Sequence, residues 1–211
     1  MTITPVHAWS ELQKGNARFS AGAAQHPHQD PARRQELAQG QNPIATVLQC
    51  SDSRIAAEII FDLGLGDAFV VRNAGQVASD SAIGSIEYAV GILHTPLLVV
   101  LGHEKCGAVR AAIDSHAQDA AALPLQIAHL IAPITPAVRQ VSETAAGDNI
   151  DPAAVDAAAV GVEHVRNTIA ALVERSEIVA QAVADGTLGI IGASYGLSDG
   201  TVSTDTKIGL D

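Results

Sequence analysis

Two short apolar runs in the sequence each end in a polar turn that carries cysteine or histidine. Residues 44–48 lead into the turn 50–54, which begins with a cysteine, and residues 97–102 lead directly into His103 and then Cys106. Apolar runs bounded by polar turns and followed by helical patterns are typical of buried parallel strands. Because open α/β sheets bind ligands beyond the carboxyl ends of their strands, the chain is expected to bring these two ends together.

The remaining pattern alternates short strands with helices. Strands are predicted over residues 44–49, 67–72, 97–102 and 188–193, with an edge hairpin over 194–206. Helices are predicted over residues 5–20, 31–38, 56–63, 80–93, 108–116, 123–141, 152–174 and 177–184. The alternation predicts an α/β fold, with a mostly parallel central β-sheet of four to five strands flanked by α-helices and an N-terminal helical arm. The 211 residues are expected to form a single domain, with the arm at 1–40 and the α/β core at 41–211.

The first predicted helix has an apolar face on an otherwise polar segment. Trp9, Leu12 and Phe19 lie close to one side of it at helical spacing. This face is expected to pack either on its own domain or on a second subunit.

Composition and charge limit the partners and the compartment. The 12 Lys and Arg residues against 23 Asp and Glu residues give a net charge of −11, and no basic stretch interrupts this balance. Nucleic acid is therefore not an expected partner. No run of about 18 apolar residues is present to span a membrane, and no secretory signal pattern is visible. Because the chain has only 2 cysteines, it has no disulfide framework, and a cytoplasmic, reducing location is expected.

Cys50, His103 and Cys106 form the candidate metal site. Zn²⁺ prefers thiolate and imidazole ligands, and a set of three protein ligands leaves one tetrahedral position open. These residues predict one zinc site of Cys2His type, completed by water or by a carboxylate such as Asp52. Each residue also has a plainer interpretation, because a lone buried cysteine is usually inert and a lone buried histidine is usually hydrogen-bonded in the core. The coincidence of both groups at strand ends favours zinc.

Asp52 and Arg54 are the candidate catalytic pair. Zinc lowers the pKa of bound water from about 15.7 to around 7, but two thiolates cancel the charge of the ion and weaken this effect. A neighbouring group that accepts a hydrogen bond from the hydroxide then becomes important. Arg54 can bind the Asp52 carboxylate through two hydrogen bonds and keep it ionised. In the alternative interpretation, Asp52 caps the following helix and Arg54 lies on the surface.

These motifs resemble the signature of the β-class carbonic anhydrases. In that family a C-x-D-x-R turn is followed far downstream by H-x-x-C, and residues 50–54 and 103–106 match both patterns unaltered. The resemblance extends from about Trp9 to Tyr195. It also includes residues 69–75, 84–90 and 99–102.

The resemblance implies the activity of a carbonate dehydratase, a zinc hydro-lyase that reversibly hydrates CO2 to bicarbonate and a proton. It implies one Zn²⁺ per chain on Cys50, His103 and Cys106, and attack of a zinc hydroxide on CO2. Asp52 and Arg54 would be the catalytic pair. In this family the aspartate also swings onto the zinc, where it displaces the water and closes the site.

The resemblance further implies a substrate pocket and an oligomer. The matching pocket residues are Gln41 as a substrate-orienting amide, Phe69 and Tyr88 as apolar and aromatic walls, and Gly107 as the small residue after the second cysteine. Ala74 stands where many members carry a bulkier valine, so the pocket is expected to be wider. Because the family places several of these residues at a subunit boundary, a homodimer or homotetramer is expected.

Val47 is a second departure from part of the family. It lies three residues before Cys50, where the bicarbonate-inhibited subgroup carries tryptophan. The protein is therefore expected to lack the allosteric bicarbonate site of that subgroup. A steep, cooperative loss of activity with added bicarbonate would contradict this expectation.

Three alternatives stay open at this point. Relatives with the same fold and metal hydrolyse carbon disulfide or carbonyl sulfide, and the width of the pocket would decide between these substrates and CO2. A non-catalytic zinc scaffold would hold Asp52 permanently in the fourth position, although such a scaffold has no need of Arg54. Redox sensing would use Cys50 and Cys106, which would form a disulfide in zinc-free protein.

Overall fold

The computed structural model describes residues 3–145, 148 and 150–210. Its strands are β1 (Ala45–Cys50), β2 (Ala68–Asn73), β3 (Leu97–His103), β4 (Gly189–Tyr195) and β5 (Val202–Ile208). Its helices are α1 (Pro5–Ser20), α2 (Pro31–Leu37), α3 (Ala57–Ile60), α4 (Asp80–Gly91), α5 (Gly107–Asp114), α6 (Leu125–Ile131), α7 (Thr135–Ser142), α8 (Ala157–Arg175) and α9 (Glu177–Ala184), with a 3-10 turn at Ala132–Ile134. No helix of the described residues is long and apolar enough to cross a membrane.

The strands form one sheet in the order β2-β1-β3-β4-β5. β1 runs parallel to both β2 and β3, β3 runs parallel to β4, and β5 returns antiparallel along β4. The predicted α/β fold with a mostly parallel sheet is therefore confirmed. The chain leaves β1 toward one edge of the sheet and then crosses back to place β3 on the other side of β1. The carboxyl ends of β1 and β3 thus flank a topological switch point, which is where such sheets bind ligands.

Helices cover both faces of the sheet. On one face, Leu97, Val99 and Leu101 of β3 pack in a core cluster with α1, α3, α5 and α7. On the other face, Leu98 and Val100 of β3 pack with α4, α8 and α9. All of these β3 side chains are fully buried, so the strand reads as a continuous apolar run rather than an alternating one.

The N-terminal helix α1 packs on its own chain. The ring of Trp9 meets the ring of Phe61 edge to face, with centroids 6.3 Å apart. Asn16 donates from Nδ2 to the carbonyl oxygens of Ile60 at 3.1 Å and Gly200 at 2.8 Å. The apolar face of α1 therefore packs on the core of its own chain, which is the first of the two expected alternatives.

The helix predicted over 56–63 is shorter in the structure, because α3 makes only one turn. Asp62 leaves the helix with a φ of 47°. Its carboxylate accepts hydrogen bonds from the backbone amides of Gln25 and His26 and from Nε of Arg18. Burial opposes the ionisation of Asp62, but these donors hold its pKa below the ordinary value. The prediction was wrong because tertiary hydrogen bonds to the segment after α1 outweigh the local apolar periodicity.

Two other predictions needed correction. The strand predicted as buried over 67–72 is β2, which is an edge strand whose side chains are mostly half-buried. The helix predicted from 152 begins only at α8, because Asp156 accepts from the amides of Ala158 and Ala159 and so caps the helix there. The breaks expected at Pro133 and Pro136 are present as the 3-10 turn and the start of α7.

Candidate metal centre

The neighbouring carboxyl ends of β1 and β3 bring together three buried ligand groups. The Sγ atoms of Cys50 and Cys106 and a ring nitrogen of His103 all lie within 4.8 Å of one another. The three residues are 5%, 6% and 6% exposed. Cys50 ends β1, His103 ends β3, and Cys106 immediately precedes α5. The parallel pairing of β1 with β3 therefore assembles the predicted ligand set within one chain.

The His103 ring is oriented by the backbone. Its Nδ1 lies 2.9 Å from the carbonyl oxygen of Glu104. A carbonyl oxygen can only accept, so Nδ1 carries the proton and Nε2 carries the lone pair. Nε2 is buried and has no hydrogen-bond partner among the described residues. A buried imidazole lone pair that faces two cysteine sulfurs is the arrangement that a metal ligand requires.

The Sγ atoms of Cys50 and Cys106 lie close enough for each thiol to shift the pKa of the other. The neighbouring Cys106 thiol lowers the pKa of Cys50, and the same contact raises the pKa of Cys106. One cysteine therefore ionises readily and the second holds the proton, which a cation would displace. Two sulfurs and one imidazole nitrogen are the donor set that zinc prefers. The residues present thus fit a zinc ion with one coordination position left open.

Arg54 clamps the Asp52 carboxylate beside this cluster. Its Nε donates to Oδ1 at 2.9 Å and its Nη2 donates to Oδ2 at 2.7 Å. These hydrogen bonds hold the pKa of Asp52 well below its usual range. Arg54 Nη2 also donates to the carbonyl oxygen of Lys105 at 3.1 Å, which ties the turn after β1 to the turn after β3.

The capping interpretation of Asp52 does not hold. The residue at the N-cap of α3 is Ala56, and among the described residues no side chain caps that helix. Both carboxylate oxygens of Asp52 are engaged by Arg54 instead. The carboxylate also lies outside the three-residue ligand cluster that the described residues form. The pair therefore stands next to the candidate metal position, with the aspartate held in its ionised form.

Two further contacts at the cluster were not predicted from the sequence. Arg72 Nη2 donates to the carbonyl oxygens of Asp52 and Ile55, each at 3.0 Å, and so fixes the turn after β1. The backbone amide of Gly75 donates to Sγ of Cys50 at 3.2 Å. The available signal was the polar turn 72–75, which follows β2 in the same way that the ligand turns follow β1 and β3.

Ala74 and Gly107 flank the cluster in the chain. Ala74 precedes Gly75, whose φ of 81° favours glycine, and an added Cβ there would lie 3.0 Å from side-chain atoms of Ala108 and Ile134. Gly107 follows Cys106 as the first residue of α5, and an added Cβ there would meet nothing within 4 Å. The absence of a side chain at Gly107 leaves space next to the ligand Cys106.

The other predicted pocket residues lie elsewhere on the same chain. The rings of Phe69 and Tyr88 pack together with centroids 6.1 Å apart, and Tyr88 is 48% exposed. Phe69 pairs with Thr46, four residues before Cys50 in the parallel register, which places it about 13 Å back along the strand. Gln41 lies in a surface hollow formed by α2 and the turn at 65–66. One chain alone does not bring these three residues to its own ligand cluster.

A cavity of about 780 Å³ borders the cluster from the side of α5 and α8. Its lining includes His103, Cys106, Val109, Gly161 and Ser194. None of the five pocket residues predicted from the family lines it. Two of the three ligands are therefore also reached from a side that the sequence did not indicate.

The fold and the cluster define an α/β protein with a candidate Cys2His metal site at a topological switch point. A family model described as carbonic anhydrase matches residues 45–202. The chain is 45% identical over 206 residues to a carbonic anhydrase of Mycolicibacterium smegmatis, covering 97% of this chain and 95% of that protein. It is 43% identical over 205 residues to carbonic anhydrase 2 of Mycobacterium tuberculosis, with the same coverage of both chains.

Solved structures agree with these sequence matches. The β-carbonic anhydrase CafA of Aspergillus fumigatus superposes with a TM-score of 0.70 at 26% identity, covering 93% of this chain and 90% of that one. The Coccomyxa β-carbonic anhydrase in complex with acetazolamide shares the fold with a TM-score of 0.72 at 24% identity, covering 94% and 87%. The chain belongs to the β-class carbonic anhydrase family, as its motifs indicated.

Proposed function

We propose that this protein catalyses the reversible hydration of CO2 to bicarbonate and a proton. The observation that carries the proposal is the group of three metal-ligand atoms within 4.8 Å of one another, beside the Asp52 carboxylate held by Arg54. Relatives named as carbonic anhydrases at 43–45% identity over nearly the whole chain support the same activity.

Cys50, His103 and Cys106 would hold one Zn²⁺ ion. When bound, zinc would supply a Lewis acid that lowers the pKa of a water molecule from about 15.7 to around 7. The two sulfurs donate charge and limit that effect, whereas the Gly75 amide withdraws charge from Cys50. The residues around the ligands therefore matter as much as the ligands themselves.

Asp52 would act as the group that orients the attacking water. Its carboxylate is ionised because Arg54 donates two hydrogen bonds to it. An ionised carboxylate accepts a hydrogen bond from the water and so turns an oxygen lone pair toward the carbon of CO2. Arg54 keeps the carboxylate in that position and, through the Lys105 carbonyl, keeps the two ligand turns in register.

The CO2 pocket would be completed by a second copy of the chain. Gly107 leaves space next to the ligand Cys106, but Phe69, Tyr88 and Gln41 lie near edge strand β2. We propose that a homodimer, alone or as half of a homotetramer, places these three residues of one chain at the metal centre of the other. Edge strand β2 and the exposed ring of Tyr88 are the surfaces available for that contact. A cytoplasmic location suits the two free cysteines of the site.

The test is stopped-flow CO2 hydration by zinc-loaded protein from neutral to mildly alkaline pH, with Asp52→Asn as the diagnostic variant. The amide cannot orient water as a carboxylate does, so we expect turnover to fall by about a hundredfold or more while zinc content stays unchanged. Asp205→Asn is the matched control, because Arg166 also binds the Asp205 carboxylate through two hydrogen bonds, but on edge strand β5. Turnover of this control should equal that of the wild type.

Two outcomes would contradict the proposal. Absence of CO2 hydration by zinc-loaded wild-type protein across this pH range would refute the activity. Unchanged turnover in Asp52→Asn, with hydration present, would refute the role of the aspartate and leave the activity standing.

A further inference from the structure

The backbone of Gly75 connects the ligand Cys50 to a histidine from a distant helix. The Gly75 amide donates to Sγ of Cys50 at 3.2 Å. The Gly75 carbonyl oxygen lies 2.7 Å from Nε2 of His164, which is on α8 and is separated from Gly75 by 89 residues. His164 is 1% exposed, so this contact is shielded from water. Cys50 therefore contacts the amide of Gly75, and His164 contacts its carbonyl oxygen.

The protonation of His164 follows from its surroundings. Burial lowers its pKa, so the ring is neutral near pH 7 and carries a single proton. The Gly75 carbonyl oxygen can only accept a hydrogen bond, which places that proton on Nε2. Nδ1 is buried and has no partner among the described residues. His164 therefore donates its single N–H to the Gly75 carbonyl oxygen.

Gly75 lies in the middle of a turn whose two ends are held by side-chain hydrogen bonds. The two ends of the turn are closed by Asn73, whose side chain donates to the Val77 carbonyl and accepts from the Val77 amide, each at 2.8 Å. Gly75 lies between these ends with a φ of 81° and has the conformational freedom of a residue without a side chain. The hydrogen bond from His164 fixes the orientation of the Gly75 carbonyl. Because the carbonyl and the amide of Gly75 are joined through one Cα atom, the bond also restricts the orientation of the amide.

We propose that His164 is a positioning residue that holds the Gly75 peptide so that its amide points at the sulfur of Cys50. A hydrogen bond to a ligand thiolate stabilises the charged sulfur against protonation and orients its lone pairs, so its loss should weaken metal binding. His164 thereby tunes Cys50 as a ligand without touching the metal or the substrate. This inference rests on the proposed role of Cys50 in metal binding.

The test compares His164→Leu, which removes the donor, with His164→Gln, whose side-chain amide restores a donor at similar reach. Thr168→Val, one turn further along α8 and also buried, is the control for a polar-to-apolar change on the same helix. In His164→Leu we expect zinc affinity to fall about 10- to 100-fold. We also expect a shifted sulfur-to-cobalt charge-transfer band in cobalt-substituted protein and faster hydrogen exchange at the Gly75 amide. His164→Gln should recover most of each change, and Thr168→Val should show none.

Several results would overturn the inference. A cobalt spectrum and a Gly75 exchange rate that stay at wild-type values in His164→Leu would do so, as would a His164→Gln variant that resembles His164→Leu. If His164→Leu does not fold, nitrogen NMR of the wild-type protein decides, because a proton on Nδ1 rather than on Nε2 of His164 excludes the donated hydrogen bond. Protein that has the Nε2 proton and a protected Gly75 amide but hydrates no CO2 would refute the proposed function and keep this inference.

Discussion

The metal centre and the outer edge of the sheet differ in how far one chain completes them. At the carboxyl ends of β1 and β3, the ligand groups are buried and the chain itself orients the groups around them. Glu104 orients His103 and Arg54 holds Asp52. At the outer edge, Phe69 packs against a Tyr88 ring that is 48% exposed, and Leu65, in the turn before β2, is 47% exposed. The first region is self-sufficient, and the second presents apolar surface to solvent.

This difference distinguishes the candidate metal ligands from the residues of the proposed substrate pocket. The register of β1 with β2 fixes Phe69 opposite Thr46, so no side-chain rotation brings it to the ligands of its own chain. A single chain should therefore bind the metal but lack part of its pocket. Substitutions among the ligands should therefore reduce zinc binding, whereas substitutions at the sheet edge should reduce turnover and keep the zinc. Chains with these two defects can be mixed in one experiment.

The largest effect is expected from removing a ligand. Cys106→Ser replaces a thiolate with a hydroxyl and leaves two of the three ligands. A structural zinc site gains about 10–16 kcal/mol from its whole ligand set. We therefore expect the zinc affinity to fall by at least about a hundredfold. Phe69→Ala, at the sheet edge, should keep the zinc content of the wild type. Metal analysis after equilibration with a competing chelator measures both.

The result that breaks the comparison is also clear. Full zinc content in Cys106→Ser would remove that cysteine from the ligand set. Loss of zinc in Phe69→Ala would mean that the sheet edge supports the metal centre within the same chain, and the separation of the two regions would then be wrong.

The second prediction combines the two defects. A chain with Cys106→Ser has an intact edge but no metal, and a chain with both Phe69→Ala and Tyr88→Ala has the metal but no aromatic wall. If each chain completes the site of its partner, equal amounts of the two inactive proteins, refolded together, should regain about a quarter of wild-type turnover. Half of the dimers would be mixed, and each mixed dimer would contain one complete site.

Native mass spectrometry of the mixture provides the control, because it counts the mixed dimers directly. Mixed dimers without any recovered hydration activity would show that the aromatic pair does not serve the metal centre of a neighbouring chain. High activity of the double variant on its own would show that the pair does not contribute to the pocket.

The same two regions show what sequence can and cannot predict. The meeting of Cys50 with His103 was predictable, because both follow apolar runs and the carboxyl ends of parallel strands lie along one edge of a sheet. The exposure of β2 was not predictable, because an apolar strand has the same sequence pattern whether a helix or another chain covers it. The contact from His164 to Gly75 leaves no local signal, since it joins two residues 89 positions apart through a backbone carbonyl. Tertiary contacts of this kind also ended α3 early at Asp62.

The smallest predicted effect concerns strain, which also distinguishes the two regions. Lys105, between the ligands His103 and Cys106, has a φ of 51°, whereas no residue of β2 has a positive φ. The left-handed conformation costs a non-glycine residue about 1–2 kcal/mol, which glycine would relieve. Glycine also increases the conformational entropy of the unfolded chain, and this opposing effect lowers the free energy of unfolding by about 0.4–1 kcal/mol. The strain relief is the larger of the two, so Lys105→Gly should raise the free energy of unfolding by about 0.5 kcal/mol. Urea unfolding of metal-free protein measures this change, and Lys105→Ala is the control, because it removes the charge and keeps the strain. A Lys105→Gly variant no more stable than Lys105→Ala would mean that the turn between the two ligands is held without strain, as the edge strand is.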